Sequence, residues 1–297
     1  MIPVILFLTS FATAALAAPK IIWDGRLKMD FPATDLDNST TSPYNAEYVL
    51  GAGQKWSEQL VFPTMSVTGP SLFDLVFKDC RKPVEVTINN KSIFAPGGNA
   101  QKGFRRSELL PSINNGTDAT VQGTTTLHLS VREDVHRSLN YSHEYQIAFI
   151  ETNDFSSHVW TLKTGTPFGS SEVPAKDAKT LRLTSSTADG KAEEVLFSVP
   201  FDSGCWHNFA VQTNWVDSTI SAWYSSGYGF MSEVVETRAN NATGKGQAHI
   251  GILKLPTPPA TDPSHEGYQP SGINEGLIYG GIFVEDSSQN GVSLTPW

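Results

Sequence analysis

Two glutamates in this sequence each combine a carboxylate with a polar partner on a short and otherwise apolar stretch. Glu108 follows Arg106 in "FRRSELL", and Glu144 precedes Gln146 in "HEYQIAFIE". Residues two apart on a β-strand share a face, so each glutamate has a neighbour that can influence its protonation. A pair of carboxylates on either side of a glycosidic bond can hydrolyse that bond by acid–base catalysis. The pattern therefore predicts that Glu108 and Glu144 form a catalytic pair, in which either one is the acid.

Other residue patterns that could carry chemistry are less specific. Glu133 and Glu151 are rival carboxylates, but each ends a predicted strand, where we expect it to face solvent. No histidine spacing matches a metal site such as His-x-His or His-Glu-x-x-His, so the sequence predicts no catalytic metal and no other cofactor. The sequence also lacks a Gly-x-Ser-x-Gly elbow, which disfavours a serine hydrolase.

The elements that must position these side chains are short strands. The chain contains 24 glycines and 18 prolines. About a dozen alternating stretches lie between the turns that such residues mark. This pattern predicts an all-β fold built as a sandwich, a barrel or a jelly roll. Neither an internal repeat nor a linker divides the chain, so we predict that residues 18–297 form a single domain.

Several predicted strands pair an apolar face with an unusually polar one. On "HEYQIAFIE" the alternation places Phe149 with the core residues, and Ala148 with Glu144 and Gln146 on the opposite face. An ordinary sheet with one face in water alternates as well, and remains the simpler reading of any single strand. Amides, carboxylates and tryptophan faces, however, suit the binding of a sugar chain. The side chains predicted to line a concave binding face are Arg106, His128, Arg132, Gln146, Asn208 and Trp223.

The beginning of the chain has the pattern of a secretory signal peptide. Residues 1–17, "MIPVILFLTSFATAALA", are apolar, end in small residues and are too short for a typical membrane anchor, which predicts a secreted, extracellular protein. In an oxidising compartment we expect a disulfide between Cys80 and Cys205 rather than a Cys-His nucleophile. We also expect glycosylation away from any substrate cleft at five Asn-x-Ser/Thr sequons, at Asn38, Asn90, Asn115, Asn140 and Asn241.

The charge of the chain restricts its partners. The net charge is −9 with only 21 basic residues, and these form no cluster along the sequence. Nucleic-acid binding requires clustered positive charge and is therefore excluded. The negative field also disfavours a polyanionic polymer and suits a neutral one. We expect no membrane partner and a monomeric state.

Seven motifs, taken in order, resemble those of glycoside hydrolase family 131. They are "WDGR" (23–26), "FRRSEL" (104–109), "LHLSVRED" (127–134), "HEYQIAFIE" (143–151), "WHNFAV" (206–211), "AHIGILKLP" (248–256) and "GGIFVEDS" (280–287). This family comprises secreted fungal β-glucanases with a β-jelly-roll fold, a two-sheet antiparallel sandwich with a concave substrate-binding face. The resemblance implies hydrolysis of β-1,3-, β-1,6- and β-1,4-linked glucan, including cellulose, with inversion and without a cofactor.

The same resemblance implies roles for individual residues. The two catalytic glutamates of the family correspond to Glu108 in "RRSE" and Glu144 in "HEYQ". A histidine assists them in the family, and either His207 or His249 matches it by motif, with His128 as a third cleft candidate.

Two other classes of protein are alternatives. The "RSEL" motif and the "QI" strand also resemble the alginate lyases of polysaccharide lyase family 7, with glucuronan lyases sharing their architecture. Those lyases carry a further arginine and a histidine where this chain has Leu110 and Ala148. A lyase must neutralise a uronate and abstract its proton, so these replacements and the negative charge favour the hydrolase. A non-catalytic glucan-binding lectin is the third class, and the presence of both glutamates argues against it.

Overall fold

The structure of the protein is a computed structural model that describes residues 19–75, 79–190, 192–258, 260–289 and 291–296, without the side chain of Asp189. The predicted signal peptide, residues 1–17, lies outside the described residues. Within the described ranges, no helix is both long enough and apolar enough to span a membrane.

Strands dominate the described chain. In order they are β1 (Lys20–Asp24), β2 (Leu27–Lys28), β3 (Leu60–Val61), β4 (Arg81–Lys82), β5 (Val84–Asn89), β6 (Arg105–Leu109), β7 (Thr124–Glu133), β8 (Glu144–Glu151), β9 (His158–Gly165), β10 (Thr180–Thr184), β11 (Val195–Pro200), β12 (His207–Asn214), β13 (Thr219–Ser226), β14 (Ser232–Ala239), β15 (Gln247–Lys254) and β16 (Asn274–Asp286). The helices are short, namely α1 (Trp56–Gln59), α2 (Met65–Thr68) and the 3-10 turns Ala33–Asp37, Leu72–Asp74, Pro96–Gly98, Ala119–Val121 and Ala188–Gly190.

The strands form two large antiparallel sheets that pack face to face. The eight-stranded sheet has the order β14-β13-β12-β7-β16-β5-β3, with β1 paired to β16, and the six-stranded sheet has the order β11-β10-β9-β8-β15-β6. A small two-stranded ribbon joins β2 and β4. The predicted all-β fold, a two-sheet β-jelly roll, is confirmed.

The hydrophobic core lies between the two sheets and follows the period of a β-strand. Leu127, Leu129 and Val131 alternate along β7 and are all buried in this core. From the opposite sheet, Trp160 and Leu162 of β9 contribute to the same cluster. Burial of each large apolar side chain stabilises the fold by about 1.5–3 kcal/mol. The inner face of each sheet is therefore apolar, and polar groups lie on the outer faces.

A bulge interrupts the alternation of β8. Its pairing with β9 shifts register between Gln146 and Ala148, and the β15 pairing shifts over the same region. After the shift, Ala148 is fully buried in the core, whereas Phe149 packs in a separate cluster on the outer face. A bulge adds one residue to a strand and reverses the faces beyond it. The predicted faces of Ala148 and Phe149 are therefore wrong, and Glu151 lies on the outer face of the sheet.

The structure also bears on the predicted disulfide and on the predicted glycosylation sites. Cys80 and Cys205 are both exposed and free, so the predicted disulfide is not formed in this structure. Four sequon asparagines are exposed and Asn241 is half-buried. Asn115, however, lies at the rim of the largest cavity described below, which contradicts the expectation that all five lie away from a cleft.

Candidate active site

Glu108 is anchored at an edge of the six-stranded sheet. It lies on β6 opposite Gly251 of β15, where a β-carbon would come within 2.2 Å of the Ser107 carbonyl oxygen, so only glycine allows this close pairing. Arg106 donates two hydrogen bonds to its carboxylate, from Nε to Oε1 at 2.7 Å and from Nη2 to Oε2 at 2.8 Å. Such a bidentate pair has the strong geometry expected of arginine and carboxylate.

The electrostatics of this pair keep Glu108 ionised. The carboxylate is fully buried, and burial by itself raises its pKa. The charge and hydrogen bonds of Arg106, together with those of His249, outweigh burial and lower the pKa of Glu108 to about 2. Glu108 is therefore a permanent anion at any ordinary working pH, which suits a base and not an acid.

His249 connects Glu108 to the second carboxylate of the site. Because Glu108 is ionised, Nδ1 of His249 carries a proton and donates it to Oε2 at 2.7 Å. The imidazole stacks on the ring of Phe149, with centroids 4.6 Å apart and planes inclined by 10°. Its Nε2 lies 3.4 Å from Oε2 of Glu151 and makes no hydrogen bond to any described residue. This nitrogen is therefore available to exchange a proton.

Glu151 presents its carboxylate to an open cavity. It is the last residue of β8, and its side chain is 21% exposed, whereas that of Glu108 is 0% exposed. The two carboxylates are separated by a single imidazole ring. The imidazole of His249 therefore occupies the space between the two carboxylates. The sequence predicted that Glu151 faces solvent at the end of its strand. It is nevertheless the carboxylate that the structure brings beside Glu108.

A cavity of about 650 Å³ covers this group of residues. Its volume lies within the range of small-molecule sites, roughly 300–1,000 Å³. Two of its aromatic residues are strongly exposed, Tyr48 at 53% and Phe155 at 67%, as expected for rings that contact a ligand rather than a core. The cavity wall includes Tyr48, Phe94, Arg106, Glu151, Phe155 and His249.

Glu144 lies at the other end of β8 and does not join this group. Its Oε1 is 3.2 Å from Nζ of Lys163, and its Oε2 accepts a hydrogen bond of 2.9 Å from the backbone N–H of Phe168. A strand rises by about 3.3 Å per residue, so roughly 20 Å of β8 separates Glu144 from Glu151. Gln146 lies between them on the same outer face and lines a second, smaller cavity.

The remaining predicted cleft residues lie on the other sheet. His128, Arg132, Asn208 and Trp223 belong to strands of the eight-stranded sheet, whose outer face is covered by Leu72–Asp74 and the C-terminal segment. The prediction that these residues share a cleft with Glu108 is therefore wrong.

Each of the buried members of that set has a local partner. His128 is fully buried, lies 2.9 Å from the carboxylate of Glu285 and stacks on Phe283. Asn208 accepts a hydrogen bond of 2.6 Å from the hydroxyl of Ser130. Both partners belong to the same sheet, so these contacts join neighbouring strands and occupy the two side chains within it.

Of the two histidines proposed to assist, the structure places only His249 beside the glutamates. His207 lies on β12, where its Nδ1 is 2.9 Å from the hydroxyl of Tyr224 and burial lowers its pKa. Within the described part of the chain, no cluster of three or more His, Cys, Asp and Glu side chains could hold a metal ion.

Two carboxylates on the outer face of a jelly-roll sheet, beside an open cavity, supply the pair of groups that glycoside hydrolysis requires. The family described as "Glycoside hydrolase 131 catalytic N-terminal domain" matches residues 21–290. The chain belongs to this family and is a glycoside hydrolase that acts on a polysaccharide.

Two solved structures show the same fold. The catalytic domain of a GH131 β-glucanase from Podospora anserina is 23% identical, with a TM-score of 0.70, and the match covers 93% of this chain and 98% of that one. The catalytic domain of a glycoside hydrolase family 131 protein from Coprinopsis cinerea is 20% identical, with a TM-score of 0.65, and the match covers 94% and 98%. No protein of curated function matches this chain by sequence.

Proposed function

We propose that this glycoside hydrolase cleaves β-linked glucan, a neutral glucose polymer, with Glu108, His249 and Glu151 as its catalytic group. The observation that carries the proposal is the bridge from buried Glu108 through His249 to exposed Glu151. The net charge of −9 supports a neutral rather than a uronate polymer. The Podospora anserina relative, described as a β-glucanase, is consistent with this substrate.

In the proposed reaction, Glu151 is the acid and the Glu108–His249 pair is the base. Glu151 protonates the glycosidic oxygen as its bond to the anomeric carbon breaks. Water attacks that carbon and gives its proton to Nε2 of His249, while the anionic Glu108 stabilises the imidazolium through Nδ1. The proton then returns to Glu151, which lies 3.4 Å from Nε2. Glu144, the partner predicted from the sequence, has no part in this scheme.

We also propose that the enzyme is secreted and acts as a monomer without a cofactor. The apolar residues 1–17 and the exposed asparagines of four sequons support passage through a secretory pathway. Mass spectrometry of the protein from the culture medium tests secretion, since it gives the mature N-terminus and the occupancy of each sequon.

Product analysis tests the proposed reaction directly. The protein is incubated separately with laminarin, cellulose oligomers and glucuronan. New reducing ends on a neutral glucan, without the ultraviolet absorbance of an unsaturated sugar, are the expected result. Unsaturated products from glucuronan would show a lyase, and binding without any product would show a lectin. Either outcome would refute the hydrolysis of β-glucan.

A further inference from the structure

A second cavity adjoins the one that covers the catalytic group. It has a volume of about 270 Å³ and lies further across the six-stranded sheet, over β8 and β9. Phe155 lines both cavities and therefore marks the boundary between them. Because Phe155 follows Glu151 closely in the chain, this boundary lies beside the proposed acid.

The conformation of Phe155 is unusual for its residue type. Its φ is +58°, in the left-handed region that bulky side chains rarely adopt, and its side chain is 67% exposed. The turn that holds it is well bonded, since the Phe155 N–H donates to the Thr152 carbonyl at 2.8 Å and Asp154 accepts from Ser156. Neither core packing nor backbone preference explains a phenylalanine here. Such unfavourable conformations persist mainly at functional sites.

The polar residues of the second cavity offer hydrogen bonds without a strong net charge. Nζ of Lys163 lies between the carboxylates of Glu144 at 3.2 Å and Glu193 at 2.8 Å, so its charge is compensated. Burial, aided by the positive charges of Lys163 and Arg106, lowers the pKa of His158 to about 3, so its imidazole is neutral. A set of donors and acceptors without excess positive charge suits sugar hydroxyls and not a carboxylate or a phosphate.

The side-chain amide of Gln146 also indicates that the second cavity binds a polar ligand. Oε1 of Gln146 is buried and has no hydrogen-bond partner among the described residues. A buried amide oxygen without a partner is unfavourable unless a ligand or a water molecule supplies one. Gln146 lines the second cavity together with His158 and Lys163, so a hydroxyl bound there could satisfy it.

We propose that the second cavity is a glucosyl-binding subsite, in which a sugar ring stacks on Phe155 while its hydroxyls bind Gln146, His158 and the Lys163–Glu193 pair. This inference rests on the proposed hydrolysis of β-glucan. A chain that occupies both cavities passes over Glu151, so its cleaved bond lies within the chain. The enzyme then favours long substrates and releases oligosaccharides rather than single glucose units.

The variant Phe155→Gly tests this subsite. Glycine adopts the left-handed backbone freely, so the fold is retained and the melting temperature stays equal or rises. We expect kcat/KM for a β-glucan hexasaccharide to fall about tenfold, in line with the loss of one aromatic stacking contact. Because Phe155 also borders the catalytic cavity, the value for a trisaccharide of the same linkage is expected to fall as well, but by a smaller factor. Phe155→Tyr keeps the ring and is expected to keep the preference for the longer substrate.

Ser218→Gly provides a matched control. Ser218 also has a left-handed backbone, with φ of +52°, but it lies in the β12–β13 turn of the opposite sheet. Its replacement is expected to leave both substrates unaffected. If Phe155→Gly cleaves both lengths as well as the wild type does, or loses the same factor on both, the subsite is refuted. Failure of the wild-type enzyme to cleave any glucan would instead refute the proposed function, and the subsite with it.

Discussion

Replacement of Arg106 by methionine is the perturbation that most directly tests the electrostatics of the site. Arg106 donates two hydrogen bonds to the buried carboxylate of Glu108 and is the main reason that this group is ionised. Methionine keeps much of the aliphatic length and removes the charge. In Arg106→Met, Glu108 keeps only the hydrogen bond from His249, and burial then favours the protonated carboxyl group.

The magnitude follows from the pKa of Glu108. Its ordinary value is 4.5 and its value in the folded protein is about 2. A depressed pKa stabilises the fold at pH values above the ordinary pKa, and this stabilisation is lost as the pH falls toward the folded value. At ~1.36 kcal/mol per pKa unit, the contribution at neutral pH is about 3 kcal/mol. Because the variant leaves a buried carboxylate unpaired, we expect the free energy of unfolding to fall by about 3–5 kcal/mol.

Denaturant-induced unfolding at neutral and acidic pH measures this effect. The double variant Arg106→Met/Glu108→Gln is the control, since it removes the buried charge together with its partner. We expect the double variant to be more stable than Arg106→Met at neutral pH. The difference between Arg106→Met and the wild type should shrink as the pH falls from 4.5 toward 2.

Two results would show that this reasoning is wrong. One is a stability of Arg106→Met within about 0.5 kcal/mol of the wild type at neutral pH, which is the range of an ordinary surface substitution. The other is a double variant no more stable than the single one. Either would mean that Glu108 is not an ionised group that depends on Arg106.

The remaining predictions concern the catalytic group and the bulge. Glu151→Gln is expected to reduce kcat by at least about 100-fold with an unchanged melting temperature, because it removes the acid. Glu144→Gln is the control and should keep most of the activity. Equal losses in the two variants would reject Glu151 as the acid. His249→Gln should lower kcat more than it raises KM, because it removes the proton acceptor, and an unchanged kcat would contradict this role. Ala148→His should destabilise the protein strongly, as measured by thermal unfolding, because this position is buried in the core. A variant as stable as the wild type would mean that residue 148 faces the cleft and not the core.

Much of the fold and part of the proposed catalytic group could be predicted from local patterns. The alternation of Leu127, Leu129 and Val131 assigned the core face of β7 correctly, because nothing interrupts that strand. The two-residue spacing of Arg106 and Glu108 likewise predicted a pair that the structure confirms. Both cases depend only on the period of a regular strand, which is a property of the local sequence.

The second carboxylate could not be found in this way. Glu151 shares a face with Glu144 only because the bulge shifts the period of β8, and that bulge depends on how β9 and β15 pair with it. The prediction that His128 and Asn208 line the same cleft as Glu108 was wrong for a related reason. Alternation shows that a strand has a polar face, but it does not show which sheet the strand joins, or what covers that face.

The bulge in β8 also affects how relatives of this protein are to be compared. It divides the strand into one half that ends at Glu144, held by Lys163 and the Phe168 N–H, and another that ends at Glu151 under the cavity. A homologue that keeps the same number of residues between these glutamates but pairs them in a regular strand would present its two carboxylates on opposite faces. An aligned glutamate at this position is therefore equivalent to Glu151 only where the bulge is also present or its extra residue is absent.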